Sequence, residues 1–217
     1  MRRRLDLIFL ALLALGAMPA LAQTSQDAAD PWMVLKNVRQ SLVEAGPTGA
    51  SFVQTFTAAG FSSSDQESGR LALQLPDCMR WDYLKPFPKS FLLCGGTVHA
   101  WNEGDLSGRR YRVDRKNEPG LDLLLLGVDQ LKARYGATAT AVQGGRIEIA
   151  LSPKEKKLAE LTDATLTVDP ASQRVVAISY HDREGNLTRF EITGYQDLSR
   201  QGSFSPPSNL RWVEGSQ

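Results

Sequence analysis

The sequence predicts a mainly β protein: one long antiparallel sheet of about ten strands, with an N-terminal helix and short helices added. Three observations support this fold class. Apolar and polar residues alternate along most of the chain, as in strands with one buried face. The strand-like segments follow one another without β-α-β units, which excludes a parallel sheet. A long antiparallel sheet curls into a barrel or half-barrel to protect its edges, so we expect the helices to lie across the open concave side.

The N-terminus has the pattern of a secretory signal. A basic region at Arg2–Arg4 precedes an apolar run at Leu7–Leu15 and a small-x-small cleavage site at Ala20–Ala22. The apolar run is too short to span a membrane. We therefore expect residues 1–22 to be removed and residues 23–217 to form one exported domain.

Charge and motifs exclude several function classes. The chain has 25 Lys and Arg against 24 Asp and Glu, and loss of the signal would leave a net charge of −1. This balance is not typical of nucleic-acid binding. The two histidines, His99 and His181, stand alone in strand-like segments, and neither a nucleophile motif nor a phosphate loop occurs. We expect no metal, no cofactor and no catalysis, which leaves a binding function.

An amphipathic helix of about four turns follows a loose N-terminal tail. Asp30-Pro31 is a favourable helix start, because Asp accepts hydrogen bonds from the first free amides and Pro fits the first turn. Gly46-Pro47 ends the helix. Its apolar stripe consists of residues spaced by three or four: Trp32, Leu35, Val38 and Leu42.

The strands begin at 50–59 and continue through a central meander at Gly69–Asn102. In the meander, Leu71 and Leu73 alternate with small and polar residues, as do Met79, Trp81 and Tyr83, and a Pro-rich corner turns the chain after Leu84. Further strands are expected at 109–113, 137–142, 146–151, 164–168, 174–180 and 187–195, with a last short strand at Phe204. The meander therefore has one apolar, aromatic face, which must cover either an ordinary core or a cavity for an apolar guest.

The leucine segment breaks this alternation. Leu123, Leu124, Leu125 and Leu126 are consecutive and predict a short apolar helix that ends at Gly127, with a second helical turn within 128–135. A short leucine helix inserted between strands cannot bury itself. It makes a natural lid over the apolar face, which favours the cavity over the solid core.

Two cysteines in an exported protein suggest one disulfide, Cys78–Cys94, with a pair of partly buried free thiols as the alternative. If Leu84 and Lys89 flank the turn, Met79 faces Cys94 and the two sulfurs lie on opposite faces. A bulge at Pro76–Cys78 would correct that.

The ordered motifs of this chain resemble the LolA family of periplasmic lipoprotein carriers. The resemblance covers nearly the whole expected mature chain. It rests on the set Phe52-Val-Gln54, Gly69-Arg-Leu71, Pro76, Arg80-Trp81-Asp-Tyr83, Lys85-Pro86, Gly95-Gly-Thr97, Trp101-Asn102 and Phe204-Ser-Pro-Pro207.

The resemblance implies an incomplete, half-open antiparallel β-barrel with a helical lid over an apolar cavity. It implies a soluble, monomeric periplasmic carrier that takes acylated lipoproteins from an inner-membrane exporter to an outer-membrane acceptor. By family position and by alternation, the cavity residues would be Phe52, Phe56, Leu71, Leu73, Met79, Trp81, Tyr83 and Leu92, with Leu123–Leu126 as the lid.

The chain departs from the family in two places. Leu75 stands where well-known members have an Arg that ties the lid shut, and the cysteine pair is additional. Two further functions therefore stay open: a carrier or sensor for another lipid or glycolipid, and a non-catalytic periplasmic binding module with a filled core. The related outer-membrane receptor LolB is itself a lipoprotein. Because Gln23, and not a cysteine, directly follows Ala22 here, we do not expect this chain to be such a receptor.

Overall fold

The twelve strands in the described part of the chain form a single sheet. The computed structural model describes residues 29–112, 123, 127–155, 161–198 and 204–215. Its elements are α1 (Pro31–Ala45), β1 (Thr48–Thr57), β2 (Asp65–Gln74), β3 (Cys78–Lys85), β4 (Lys89–Cys94), β5 (Thr97–Asn102), β6 (Ser107–Arg112), α2 (Val128–Arg134), β7 (Tyr135–Val142), β8 (Arg146–Pro153), β9 (Leu161–Asp169), β10 (Arg174–Asp182), β11 (Leu187–Asp197) and β12 (Arg211–Glu214). The expected signal peptide (1–22) and Leu124–Leu126 lie outside the described residues.

The strand order is β12-β6-β5-β4-β3-β2-β1-β11-β10-β9-β8-β7. Within the described ranges β7 and β12 are the two edges and do not pair with each other, so the sheet is open. The predicted fold class, an unclosed antiparallel sheet with helices, is confirmed. The sheet has twelve strands rather than about ten.

The last strand differs from the expectation. Phe204 lies outside any strand, and the C-terminal strand is β12, which pairs in parallel with β6. Alternation within a single segment cannot reveal such a pairing, because β12 reaches its partner from about a hundred residues away in sequence.

Helix α1 begins and ends where the sequence predicts. Asp30 Oδ1 accepts a hydrogen bond from the Trp32 amide at 2.9 Å, and Pro31 occupies the first turn. At the other end Gly46 adopts a φ of 71°, a left-handed conformation that glycine reaches without steric cost. The residues Leu35, Val38 and Leu42 form the buried face.

The buried face of α1 packs on one half of the sheet. It forms a continuous core with Leu131 of α2 and with strand residues of β9 and β10, among them Leu166 and Val175. Arg174 Nη1 of β10 also donates to Ser41 Oγ of α1 at 2.5 Å. The two helices thus cover the β7–β10 side of the sheet.

The β3–β4 hairpin has a register one residue away from the expected one. Cys78 pairs directly with Cys94, and Met79 pairs with Leu93. The two cysteines are disulfide-bonded across the hairpin, so no bulge at Pro76–Cys78 is needed. The irregularity lies instead between β2 and β3, where Leu84 is skipped between the Ser68–Lys85 and Gly69–Tyr83 pairs.

The C-terminal segment 204–215 crosses the face of the sheet that carries the disulfide. Cys94 Sγ lies 3.6 Å from the Phe204 carbonyl oxygen, and the Trp212 ring stacks edge-on against His99 at 4.8 Å. A Cβ on Gly108 would lie 2.3 Å from the Trp212 ring, so only glycine fits beneath it. We call this side the outer face and the helix-covered side the inner face.

Candidate functional site

The inner face encloses a cavity of about 300 Å³, at the lower end of the roughly 300–1,000 Å³ usual for small-ligand sites. Its wall is mostly aromatic and aliphatic. The lining residues are Phe52, Gln54, Leu71, Trp81, Tyr83, Phe91, Leu93, Val98, Tyr111, Ile178, Tyr180, Phe190 and Ile192.

Eight consecutive strands contribute to this wall, from β6 through β1 to β10. Neighbouring strands lie about 4.8 Å apart, so a flat sheet would spread the same strands over roughly 34 Å. One cavity can touch all eight only if the sheet curls around it. The curl makes the inner face concave.

Four of the eight cavity residues predicted from sequence line the cavity: Phe52, Leu71, Trp81 and Tyr83. They come together because Leu71 pairs with Trp81, and Gly69 pairs with both Phe52 and Tyr83 across adjacent strands. The Phe52 and Tyr83 rings meet edge to face with centroids 5.0 Å apart. This packing continues through Phe91 and Phe190 on either side.

The other four predicted residues lie elsewhere. Leu73 and Met79 are cross-strand partners in the packed core beyond the cavity, where Met79 is 0% exposed. Phe56, near the end of β1, is half-buried and does not line the cavity. Leu92 is on the outer face, because its neighbours Phe91 and Leu93 point into the cavity, and it is fully buried there.

One end of the cavity is polar. Tyr83 Oη donates a hydrogen bond of 2.6 Å to Gln54 Oε1, and Tyr180 lies in the same wall. Behind Tyr83, Lys89 Nζ sits 4.5 Å from the ring centroid and forms a salt bridge of 2.7 Å with Glu67. Burial raises the pKa of the Tyr83 and Tyr180 hydroxyls, so both are protonated at neutral pH.

Among the described residues, no group of three or more His, Cys, Asp and Glu side chains could hold a metal ion. In the same part of the chain, no helix is long and apolar enough to cross a membrane.

A family profile, that of the outer membrane lipoprotein carrier protein LolA, matches residues 47–202. The chain belongs to the LolA family. A curated relative, the outer-membrane lipoprotein carrier protein of Chromobacterium violaceum, is 27% identical over 176 residues, covering 76% of this chain and 80% of that protein.

Solved structures share the LolA-like fold at low identity. An uncharacterised conserved protein from Thermus thermophilus is 12% identical, covers 84% of this chain and 98% of its own, and has a TM-score of 0.54. A crystal structure of MucB is 12% identical, covers 87% of this chain and 66% of its own, and has a TM-score of 0.52.

Of the expected LolA-like lid, the structure describes Leu123. This residue is helical and 4% exposed. It borders a small space of about 30 Å³ between the helices and the sheet. The same space is lined by Leu35, Val38, Arg39, Leu42, Leu75, Val128, Leu131, Leu166 and Val175.

Leu75, which stands at the position of the LolA-family Arg, thus faces helices α1 and α2, which we call the cover. It packs against the core cluster that includes α1 and α2. The sheet therefore presents an apolar side chain at this position, where the family residue would supply a guanidinium, while Arg39 of α1 lines the same space.

Nine of the thirteen lining residues were not predicted from the sequence. The pairs Ile178/Tyr180 of β10 and Phe190/Ile192 of β11 line it with the spacing of two that marks one strand face. Their connection with the meander depends on β11 pairing with β1, which joins distant parts of the chain. Gln54 was noticed only as a motif residue, because a polar side chain is not expected in an apolar wall.

Proposed function

We propose that this protein is a periplasmic carrier for acyl chains, and that its cargo is acylated lipoproteins moved from an inner-membrane exporter to an outer-membrane acceptor. The observation that carries the proposal is the aromatic cavity on the concave inner face of an open sheet. Membership of the LolA family supports the lipoprotein cargo. Location in the periplasm and the absence of catalysis belong to the same proposal.

The energetic need for such a carrier follows from the hydrophobic effect. Burying one methylene group stabilises by roughly 0.8 kcal/mol, so a sixteen-carbon chain left in water costs on the order of 10 kcal/mol. A membrane-anchored chain cannot cross an aqueous space unless a protein wall replaces the lipid. The cavity supplies such a wall with Phe, Trp, Tyr, Leu and Ile side chains.

The apolar contact at Leu75 favours a second candidate. If release of the cover in lipoprotein carriers depends on a polar latch, a leucine at that position fits a carrier or sensor for another lipid or glycolipid. Both candidates share acyl-chain binding in the same cavity. A binding module with a filled core is less favoured, because the interior leaves about 300 Å³ unfilled.

Tryptophan fluorescence tests acyl-chain binding at this site. The chain has four tryptophans. Trp81 lines the cavity, Trp101 and Trp212 pack together on the outer face, and Trp32 lies on α1. Dibromostearic acid quenches indoles in contact with its bromines, so we expect it to quench wild-type emission while stearic acid does not.

The matched variants are Trp81→Phe and Trp101→Phe. Quenching should disappear in Trp81→Phe and persist in Trp101→Phe. The reverse pattern would place the lipid on the outer face, and absence of quenching at saturating lipid would overturn the carrier proposal.

Depletion of the protein in cells separates the two candidates. If its cargo is lipoproteins, they should accumulate in the inner-membrane fraction on depletion. Normal delivery of lipoproteins to the outer membrane would reject that cargo and leave the other lipids.

A further inference from the structure

The polar end of the cavity contains a hydrogen-bond donor with no protein partner among the residues that the structure describes. Gln54 lies in a mostly apolar wall, and its cross-strand neighbours are Phe190 on β11 and Glu67 on β2, whose carboxylate is paired with Lys89. Gln54 is half-buried, and its amide is stabilised when its hydrogens meet an acceptor in the cavity.

The orientation of this amide is set by Tyr83. Tyr83 Oη donates to Gln54 Oε1 at 2.6 Å, and the protonated state of the hydroxyl keeps it a donor. The Tyr83 ring is itself held between Phe52 and Phe91, with Lys89 Nζ 4.5 Å from its centroid. With Oε1 engaged, Nε2 is the free polar atom of the side chain, and within the described residues it donates to no protein acceptor.

The polarity of the cavity wall decreases with distance from Gln54. Gln54, Tyr83 and Tyr180 lie near the ends of their strands that carry the β1–β2, β3–β4 and β10–β11 turns. Leu71, Leu93, Val98 and Ile192 line the part farther from those turns. An acyl chain seated here would meet Gln54, Tyr83 and Tyr180 at one end. Beyond them the wall is mainly apolar, with Tyr111 beside Val98 as a polar exception.

We propose that Gln54 Nε2 donates a hydrogen bond to the carbonyl oxygen that joins the acyl chain to its head, so that the site selects O-acyl or N-acyl lipids over lipids with the same chain and no carbonyl. This inference rests on the proposed acyl-chain carrier function. It adds the orientation of the cargo: the carbonyl lies at the turn-bearing end and the methyl terminus points toward Leu71 and Ile192.

The test compares two lipids that differ in one carbonyl group. Palmitoyl lysophosphatidylcholine has an ester, and its hexadecyl ether analogue has the same chain length and head. Both are titrated calorimetrically into the full-length mature protein below their micelle concentrations. One neutral hydrogen bond should make the ester bind about threefold to tenfold more tightly than the ether.

The variant Gln54→Met replaces the amide by an apolar side chain of similar length. We expect it to bind the ester and the ether with equal affinity, so that the ratio of the two affinities falls to about one. Because Gln54→Met leaves the Tyr83 hydroxyl without its acceptor, Gln54→Asn is the second variant. It keeps an amide but withdraws it by one methylene, and it should lose the preference as well.

The outcomes separate this inference from the function on which it rests. Wild-type protein that binds both lipids equally, or a Gln54→Asn variant that keeps the wild-type preference, would overturn the role of Gln54 and leave acyl-chain binding intact. Wild-type protein that binds neither lipid would overturn the carrier function itself.

Discussion

Gly69 makes room for the aromatic wall of the cavity. It is paired with Phe52 and with Tyr83, and a Cβ built on it would lie 2.1 Å from the Asp82 carbonyl oxygen and 2.9 Å from the Phe52 ring. The nearest atom belongs to the backbone and cannot swing aside. The close approach coincides with the irregularity at Leu84, which brings β3 against β2 here.

We therefore predict that Gly69→Ala lowers the free energy of unfolding by about 1–3 kcal/mol, the range for overpacking a closely filled site. Chemical denaturation monitored by circular dichroism measures the difference. The matched control is Gly136→Ala on β7, where a Cβ would meet its nearest neighbour at 3.9 Å, an ordinary contact. Equal losses in the two variants would mean that the crowding at Gly69 is relieved without cost.

At the scale of elements, the β3–β4 hairpin is held by its hydrogen bonds and by the Cys78–Cys94 disulfide. The cross-link closes a loop with a sequence separation of 16. A disulfide of about this loop length stabilises by roughly 3 kcal/mol when its effect on the unfolded chain dominates.

We predict that a reducing agent lowers the melting temperature of the wild-type protein by several degrees, as about 3 kcal/mol does for a domain of this size. Differential scanning calorimetry with and without reductant measures the shift. The double variant Cys78→Ser/Cys94→Ser should melt at the lower temperature in both conditions. A wild-type melting temperature that is the same with and without reductant would contradict a stabilising disulfide.

The elements also differ in how far the sequence determines them. Helix α1 was predictable because its signals are local: Asp30 caps it, Gly46 ends it, and the stripe of Leu35, Val38 and Leu42 is buried as the spacing requires. Strand β12 was not predictable, because its place on the edge of β6 depends on contacts across the whole chain.

The cavity residues show the same limit. Alternation placed Trp81 and Tyr83 on one face, and both line the cavity. On β4 it failed for Leu92, because the run Phe91-Leu92-Leu93 is apolar throughout and both faces of that strand are covered. A period of two assigns residues to faces but does not say which face is concave.

At the scale of the whole molecule, the cavity is much larger than the space left between the helices and the sheet. About 300 Å³ lies open, while the space between the helices and the sheet near Leu75 is only about 30 Å³. The contacts that hold α1 and α2 on the sheet are mainly apolar, among them Leu35, Val38 and Leu42 with Leu131 and Val175. A larger cargo that extends toward the β7–β10 side would displace some of them.

We predict that saturation with a diacylated lipopeptide speeds amide hydrogen exchange in α1 and α2, because the second chain displaces the helices from the sheet. Hydrogen–deuterium exchange with mass spectrometry measures this. A monoacylated lipopeptide with the same peptide is the control and should leave helix exchange nearly unchanged. Stronger protection of both helices with the diacylated form would mean that the cover closes over its cargo instead.

The disulfide joins two wall strands on the outer face, and neither helix takes part in it. In an oxidising compartment the disulfide would therefore stabilise the curved sheet without restricting movement of the helices. Loss of the bond would make the sheet easier to unfold without removing any contact of the helices.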